Sequence, residues 1–263
     1  MSHLFKILIV FSVIASLAGC NNAKQDADIE GIKIGELAPT GRRIQTQILQ
    51  ATSIDVIAYE LPAEKQEVLE SIRQMLDSGV IKYTDVNGFL ENGLMAAAGD
   101  MGTIDKVDQM LKAARAKKLS TTTLMIASGQ TDVLTLAKLS RRTTISYIRR
   151  AGVVENVEAG PGIVGLQITA RKFGKTTVSS VGVMPIITVS TEGLPPQLAE
   201  KVKENELRIY SAAFRLNMKP GDFLVLAPNR YKADEQVAVS RFFIRRSPKP
   251  TVRVLLFICT SVT

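Results

Sequence analysis

Short runs of β-forming residues, separated by glycine, proline or charged turns, dominate the chain from residue 119 onward. Runs of this kind, rich in valine, isoleucine, threonine and aromatic residues, favour β-strands. Only one segment between these runs, Pro195–Glu206, has residues that favour a helix. We therefore predict a β-rich part at residues 119–263, with strands at Thr121–Ile126, Asp132–Leu139, Thr143–Arg150, Ile163–Phe173, Thr177–Val189, Leu207–Met218, Phe223–Leu226, Val237–Ile244 and Thr251–Val262.

The final run has no polar face. Val254, Leu256 and Ile258 alternate with three further apolar residues, Leu255, Phe257 and Cys259. Alternate residues of a strand point to opposite faces of the sheet, so both faces of this strand require cover. We expect it to lie in a sheet interior or at a junction between subunits, with Cys259 as a small core residue.

Helices and strands are mixed in the preceding part, residues 42–118. Ile54–Tyr59 predicts a strand, and Pro62 suits the first turn of a helix that ends at Gly79. Asn87-Gly88 predicts a hairpin turn.

A further strand is predicted at Leu94–Ala98, and Thr103 predicts the N-cap of a second helix. The basic, alanine-rich Ala113–Lys118 marks a boundary near residue 118. The predicted fold class is thus α+β, with a small α/β domain at 42–118 followed by the β-rich domain at 119–263.

Composition excludes several kinds of chemistry. His3 is the only histidine, and the chain has no tryptophan. His3 lies in the N-terminal segment that we interpret below as a signal peptide, so a chain cleaved before Cys20 would contain no histidine. Nucleophiles activated by histidine, and zinc sites built from imidazole ligands, therefore cannot form in the mature protein. We expect no enzyme activity, no catalytic residues, no cofactor and no metal ion.

Two patterns resemble binding motifs but lack the required context. Gly160–Gly165 matches the GxGxxG spacing, yet the residues after it alternate as in a strand, whereas a dinucleotide site requires a helix there. The acidic residues of the first half lack the spacing of a calcium loop, and we expect them to cap helices or face solvent: Asp85, Asp100, Asp105 and Asp108.

The N-terminal residues show the layout of an export signal. A short polar start leads into an apolar core too short to span a bilayer, followed by Leu17-Ala18-Gly19-Cys20. This tetrapeptide resembles the lipobox of bacterial lipoprotein precursors, whose cysteine carries a lipid with acyl chains such as palmitate. The resemblance implies a signal peptide at 1–19, lipidation at Cys20, and attachment to the outer membrane of the cell envelope, facing the periplasm. An ordinary secretory signal with an incidental cysteine is the alternative.

Residues 20–41 are polar and predict a flexible tether between the lipid and the folded part.

Basic and acidic residues are distributed unevenly along the chain. Residues 20–118 carry 12 basic and 15 acidic side chains, whereas residues 119–263 carry 20 and 10. Paired basic residues recur in the second half, and they predict solvated, protected strand edges or, alternatively, contact with an acidic partner: Arg141-Arg142, Arg149-Arg150, Arg171-Lys172 and Arg245-Arg246. Nucleic acid is not expected for an exported protein.

Several segments of the β-rich part together resemble the secretin domain of bacterial secretion and pilus channels. They are Leu124–Leu134, with two strands around a polar turn; the glycine-led Gly162–Ile168; Pro220–Ala227; and the final Arg253–Ile258. The part before residue 118 is similar to the small ring-building domain that precedes the secretin domain, through Tyr59-Glu60-Leu61, Asn92–Ala96 and the two predicted helices.

This resemblance implies a structural or assembly component of a secretion complex. Its expected partners are the membrane, through the N-terminal lipid, and further copies of the chain or other subunits of the complex. A monomeric lipoprotein that binds an acidic ligand or envelope surface through a basic β face is the alternative. A hydrolase ranks third, because no acid and base pair is evident.

Overall fold

The computed structural model describes residues 50–149, 152–189, 206–231, 242–245 and 248–263. Every strand pairing in these ranges is antiparallel, which confirms the prediction of a β-rich chain. The predicted signal peptide, Cys20 and the tether lie outside the described residues. Within the described ranges, the helices are too short or too polar to cross a bilayer.

The strands and helices follow one another with short connections. The strands are β1 (Ala51–Pro62), β2 (Lys82–Tyr83), β3 (Leu94–Gly99), β4 (Lys117–Ala127), β5 (Thr131–Leu139), β6 (Thr143–Ile148), β7 (Val154–Ala159), β8 (Gly162–Lys172), β9 (Ser179–Val189), β10 (Leu207–Arg208), β11 (Phe214–Met218), β12 (Phe223–Pro228), β13 (Ile244–Arg245) and β14 (Thr251–Val262). The α-helices are α1 (Glu67–Met75), α2 (Val86–Glu91) and α3 (Met101–Ala113).

Two sheets form the body of the protein. Sheet A has the order β3-β12-β14-β1-β4, with β13 paired to β14, and sheet B has the order β2-β11-β9-β8-β5, with β10 paired to β9. Their facing sides share one hydrophobic core, to which sheet A contributes residues such as Val56 and Phe257 and sheet B residues such as Leu166 and Val183. The sheets therefore pack face to face as a sandwich.

The final strand lies in the interior of sheet A, between β1 and β12. Leu255, Phe257 and Cys259 face sheet B, while Val252, Val254 and Leu256 join a second core on the opposite side. Two locations were predicted for this strand, a sheet interior and a junction between subunits. In the structure it lies in a sheet interior. Cys259 is fully buried, as predicted, and burial raises the pKa of its thiol to about 11, so the thiol stays protonated at neutral pH.

Helices α1 and α3 cover the second face of sheet A. Leu69 and Ile72 of α1 and Val107 and Leu111 of α3 are buried against it. Sheet A is thus sandwiched between sheet B and a helical layer, which explains why its central strands are apolar on both faces.

Helix α1 is shorter than predicted, because it ends at Met75 rather than near Gly79. The main chain of Asp77 exchanges two hydrogen bonds with Ala98, at 2.9 and 2.8 Å, and this pairing draws the chain out of the helix. Pro62 closes β1 and precedes a 3₁₀ turn, so it does not begin α1 directly.

The predicted hairpin turn at Asn87-Gly88 is wrong. The Asp85 side chain accepts a hydrogen bond from the Gly88 N–H at 3.0 Å and caps α2, which contains both residues of the expected turn. Glycine is needed at position 88 for close approach, since a Cβ there would lie 2.8 Å from the Cβ of Ser211.

Helix α3 begins one turn earlier than predicted. Its N-cap is Asp100, whose side chain accepts from the Gly102 N–H at 3.0 Å, while Thr103 completes a capping box from within the helix. The expectation that acidic residues cap helices is thus confirmed for Asp85 and Asp100. Asp105 is exposed, and Asp108 binds Tyr59 and Lys112.

Most strands of the second half lie where they are predicted, with two differences among the described residues. Leu207–Met218 divides into β10, a 3₁₀ turn at Tyr210–Ala212, and β11. Strand β7 was not predicted, because its polar residues Glu155, Asn156 and Glu158 break the alternation of apolar and polar side chains. Val237–Ile244 and the helical potential at Pro195–Glu206 lie almost wholly outside the described residues.

Strands β6 and β7 form a separate hairpin that is attached through Asn92. This fully buried side chain donates to the carbonyls of Gly88 and Ile148, at 2.7 and 2.9 Å, and to the Ser211 hydroxyl at 3.2 Å. Its oxygen accepts from the Ile148 N–H at 2.9 Å. One amide therefore joins α2, the hairpin and the 3₁₀ turn at Tyr210–Ala212.

The boundary predicted near residue 118 falls inside β4. Sheet A joins strands from both sides of that position, since β1 and β3 precede it and β12 and β14 follow it. Residues 48–263 form one compact unit.

Candidate assembly surface

Strand β4 forms an open edge of sheet A. Among the described residues, it pairs only with β1, along a register from Ala51 opposite Ala127 to Glu60 opposite Lys117. Its first seven residues, Lys117–Thr123, are all exposed, so both of its faces meet solvent there. A strand at the edge of a sheet presents unpaired N–H and C=O groups that can pair with another chain.

The composition of β4 provides little protection against such pairing. Lysines occupy only its first two positions, and it contains neither proline nor an acidic residue. Leu119 and Met125 are 48% and 73% exposed, while Leu124 and Ile126 are buried and fix the far end of the strand in the core. Proteins commonly protect an edge with charges, proline or bulges. In β4 these features stand only at the start, where the two lysines and a bulge at Leu119 lie, and the part from Ser120 to Ala127 has neither charge, proline nor bulge.

Strand β5 follows directly and forms the corresponding edge of sheet B. The connecting turn contains Gly129, whose φ of +83° favours glycine. The Gly129 N–H donates to the Ala170 carbonyl at 2.8 Å, and this bond anchors the turn to β8. In the described ranges β5 pairs only with β8, and most of its residues are exposed. The two open edges are therefore adjacent in sequence and lie at the same end of the sandwich.

A groove of about 180 Å³ lies between these two strands. Leu119, Ser120 and Thr122 of β4 line one side, and Leu134, Thr135 and Leu136 of β5 line the other. We call β4, β5 and this groove the assembly surface. It combines unpaired backbone groups with apolar side chains, the combination that strand addition requires.

Arg253 holds β5 against sheet A at the base of the groove. The register of β5 against β8 shifts at Leu136, which leaves that residue without a partner in the ladder. Its carbonyl instead accepts a hydrogen bond of 2.6 Å from Arg253 Nη1. Burial lowers the pKa of the Arg253 guanidinium, but an arginine stays charged at neutral pH.

A second polar contact fixes α3 to β1, the neighbour of β4, on the other face of sheet A. The Tyr59 hydroxyl donates to Asp108 at 2.8 Å, and Asp108 forms an ion pair of 2.5 Å with Lys112. Burial and Asp108 raise the pKa of Tyr59 to about 12, and the bond from Lys112 lowers the pKa of Asp108. The neutral phenol therefore remains a hydrogen-bond donor under physiological conditions.

The motifs singled out in the sequence do not converge on one site. Gly160–Gly165 runs into β8, a strand, as expected. A Cβ on Gly165 would lie 2.8 Å from the Leu134 carbonyl oxygen, so this glycine allows β5 to approach β8. In the described part of the chain, the structure brings together no group of three potential metal ligands.

The predicted basic pairs are distributed over several elements. Arg141 and Arg142 are exposed between β5 and β6, and Arg171 is exposed in β8. Others contact carboxylates: Arg149 lies 3.7 Å from Glu155, and Arg245 lies 3.7 Å from Glu60. Arg150 and Arg246 lie outside the described residues. Contact of this charge with an acidic partner stays a prediction.

Sequence analysis did not identify β4 and β5 as the open edges. One signal was available, since Lys-Lys-Leu-Ser-Thr-Thr-Thr lacks the alternation of apolar and polar residues that a half-buried strand shows.

Comparison with known proteins yields one distant structural neighbour. No protein-family model matches the chain, and no curated protein matches it. The chain is similar to the type II secretin GspD of enteropathogenic Escherichia coli, with 10% sequence identity and a TM-score of 0.22, over 81% of this chain and 67% of that chain. A TM-score this low does not establish a shared fold, and the function proposed below does not depend on it.

Proposed function

We propose that the protein is a lipid-anchored component of the bacterial cell envelope with a structural or assembly role in a secretin-like secretion complex. The resemblance of Leu17–Cys20 to a lipobox supports the anchor, and the secretin-like segments of the second half support the complex. The observation that carries the assembly role is the open edge of β4. A non-catalytic role agrees with a mature chain that lacks histidine.

In this proposal, the assembly surface pairs with another copy of the chain. If two β4 strands pair antiparallel around Thr122, the lysines at positions 117 and 118 lie opposite uncharged residues at 125–127 of the second copy. Like charges then do not face each other, and hydroxyl residues meet across the centre, an arrangement that favours pairing. A shared sheet satisfies backbone groups that otherwise depend on water.

A lysine in the centre of the edge tests this role. We expect Thr121→Lys to convert an oligomer of the mature, lipidated protein, extracted in detergent, to single chains. The reason is that two copies would bring charged side chains together along the paired edges. Sedimentation velocity with correction for bound detergent measures the mass.

Gln167→Lys is the matched control, because residue 167 is partly exposed in β8, an interior strand of sheet B. We expect this variant to retain the wild-type mass. A wild-type protein that sediments as single chains, or a Thr121→Lys variant that stays assembled, would contradict the proposed role of β4.

The anchor has its own test. We expect Cys20→Ser to accumulate as an unprocessed precursor without lipid, because a hydroxyl is a far weaker nucleophile than a thiolate for accepting a diacylglyceryl group. Mass spectrometry of the N-terminal peptide measures both cleavage and lipidation. Cys259→Ser serves as the control, with processing expected to match wild type. An unmodified mature peptide that begins elsewhere than Cys20 in the wild-type protein would rule out the lipid anchor.

A further inference from the structure

A depression of about 320 Å³ lies in the outer face of sheet B, across β2, β11, β9 and β8. A volume of this size is at the lower end of the range for sites that bind small ligands. The cations Lys82 and Arg215 line it together with the neutral polar residues Gln167 and Thr169. Among the described residues that line the depression, none is acidic, and none belongs to β4 or β5.

The two cations are accessible from solution. Successive side chains of a strand point to opposite faces of the sheet. Phe214 and Leu216 are buried in the core that sheet B shares with sheet A, so Arg215 between them points away from that core. Arg215 and Lys82 are both exposed. A ligand can therefore reach both side chains without any rearrangement of the core.

Four residues form one row across the outer face. Thr169 of β8 lies opposite Gly182 of β9, and Gly182 lies opposite Arg215 of β11. Arg215 in turn lies opposite Lys82 of β2. Like charges directly opposite each other in an antiparallel pair repel and destabilise the pairing. The register of the sheet thus places two cations side by side at one end of the row.

No carboxylate offsets this repulsion. In the part of the chain that the structure describes, neither Lys82 nor Arg215 forms an ion pair or a side-chain hydrogen bond. Other arginines differ, since Arg149, Arg208 and Arg245 each lie within 3.7 Å of a glutamate. Two adjacent cations without a counter-charge create a positive potential that attracts an anion.

Gly182 leaves the space that such an anion requires. A Cβ at this position would lie 2.6 Å from the Thr169 hydroxyl oxygen, so any larger residue would fill the gap between Thr169 and Arg215. These two residues are two strand spacings apart, or about 10 Å. An oxyanion above the glycine can therefore accept hydrogen bonds from the Thr169 hydroxyl and the Gln167 amide on one side, and from the cations on the other.

Charge and donors together specify the anion. A phosphate monoester carries a charge of about −1.5 to −2 at neutral pH and has three strong acceptor oxygens, which matches two cations and adjacent neutral donors. An arginine guanidinium can also donate two parallel hydrogen bonds to a phosphate. We propose that this depression binds a phosphate monoester group, with Arg215 and Lys82 on one side and Thr169 on the other. This inference is independent of the assembly role proposed for β4.

Titration with two phosphate monoesters tests the inference on the mature protein, extracted in a detergent without phosphorus. Glycerol phosphate is a free ester, and dihexanoyl phosphatidic acid carries the same group on a short-chain lipid. Phosphorus NMR at constant ionic strength follows both probes, and we expect both to bind. Equal dissociation constants would indicate a free ester as the ligand, whereas tighter binding of the lipid would indicate a membrane headgroup.

Arg215→Ala and Lys82→Ala should each raise the dissociation constant about tenfold, because each removes a hydrogen bond between charged groups. Thr169→Val keeps a β-branched side chain and removes the hydroxyl, so it should weaken binding by a smaller factor. Arg142→Ala and Lys106→Ala are the matched controls, since each removes one positive charge from an exposed residue that does not line the depression. Both controls should bind as wild type does.

Circular dichroism identifies any variant that fails to fold. Lys82 and Arg215 are both exposed, and either variant is sufficient for the test if the other fails to fold. The inference is overturned if neither probe binds the wild-type protein, or if the folded Arg215→Ala and Lys82→Ala proteins bind with wild-type affinity. It is equally overturned if the two controls weaken binding as much as these variants do, since the attraction would then depend only on net charge.

Discussion

We expect deletion of Val252–Thr263 to abolish cooperative unfolding of the whole protein. The deleted segment contains nearly all of β14, and seven of its residues are buried: Val252, Val254, Leu255, Leu256, Phe257, Cys259 and Val262. Burial of each large apolar side chain contributes about 1.5–3 kcal/mol, against a total stability of about 5–15 kcal/mol. Loss of the strand also leaves β1 and β12 without the partner that lies between them. Thermal denaturation followed by circular dichroism measures the effect.

Two point variants on the same strand test this prediction with smaller changes. Phe257 is fully buried between the sheets, and Phe257→Ala should lower the free energy of unfolding by about 3–5 kcal/mol. The neighbouring Ile258 is only partly buried, so Ile258→Ala should cost less than Phe257→Ala. A truncated protein that still unfolds cooperatively at the wild-type temperature would show that β14 is peripheral.

The second large effect is expected at Asn92. Asn92→Ala removes four hydrogen bonds at once and leaves the Ile148 N–H without the Asn92 oxygen that it donates to. Buried polar groups that lose their partners are expensive, and we expect the free energy of unfolding to fall by about 2–4 kcal/mol. The midpoint of urea denaturation measures this change.

Asn156→Ala makes the same chemical change at an exposed position of β7. It should leave the midpoint within about 0.5 kcal/mol of wild type, as is usual for surface substitutions. Equal midpoints for the two variants would mean that the Asn92 network contributes nothing to stability.

Prediction from sequence succeeds here where a pattern is local and strong. The apolar alternation of Thr251–Val262 predicts a strand covered on both faces, and β14 lies between two cores. The strand pattern after Gly160–Gly165 likewise predicts β8 instead of a nucleotide loop. Both predictions depend only on neighbouring residues, which also determine strand propensity and the alternation of faces.

It fails where distant residues decide the local structure. Asn87-Gly88 has the composition of a hairpin turn, yet a local cap from Asp85 and the close approach of Ser211, which is distant in the sequence, place these residues in a helix. Helix α1 ends early because Asp77 pairs with Ala98, which is 21 positions away in the sequence. In both places a tertiary contact outweighs a turn or helix preference worth about 1 kcal/mol or less.

By itself, the sequence determined the β-rich composition, the order of most strands and the buried character of the last one, because each follows from periodicity along a single segment. Only the tertiary structure decided which strands form open edges, since an edge is defined by the absence of a neighbour and not by its own residues. The same holds for the hydrogen bonds of Asn92, which join α2, the β6–β7 hairpin and the 3₁₀ turn at Tyr210–Ala212. These three segments are distant in the sequence, and they meet only because sheet pairing and one buried asparagine bring them together.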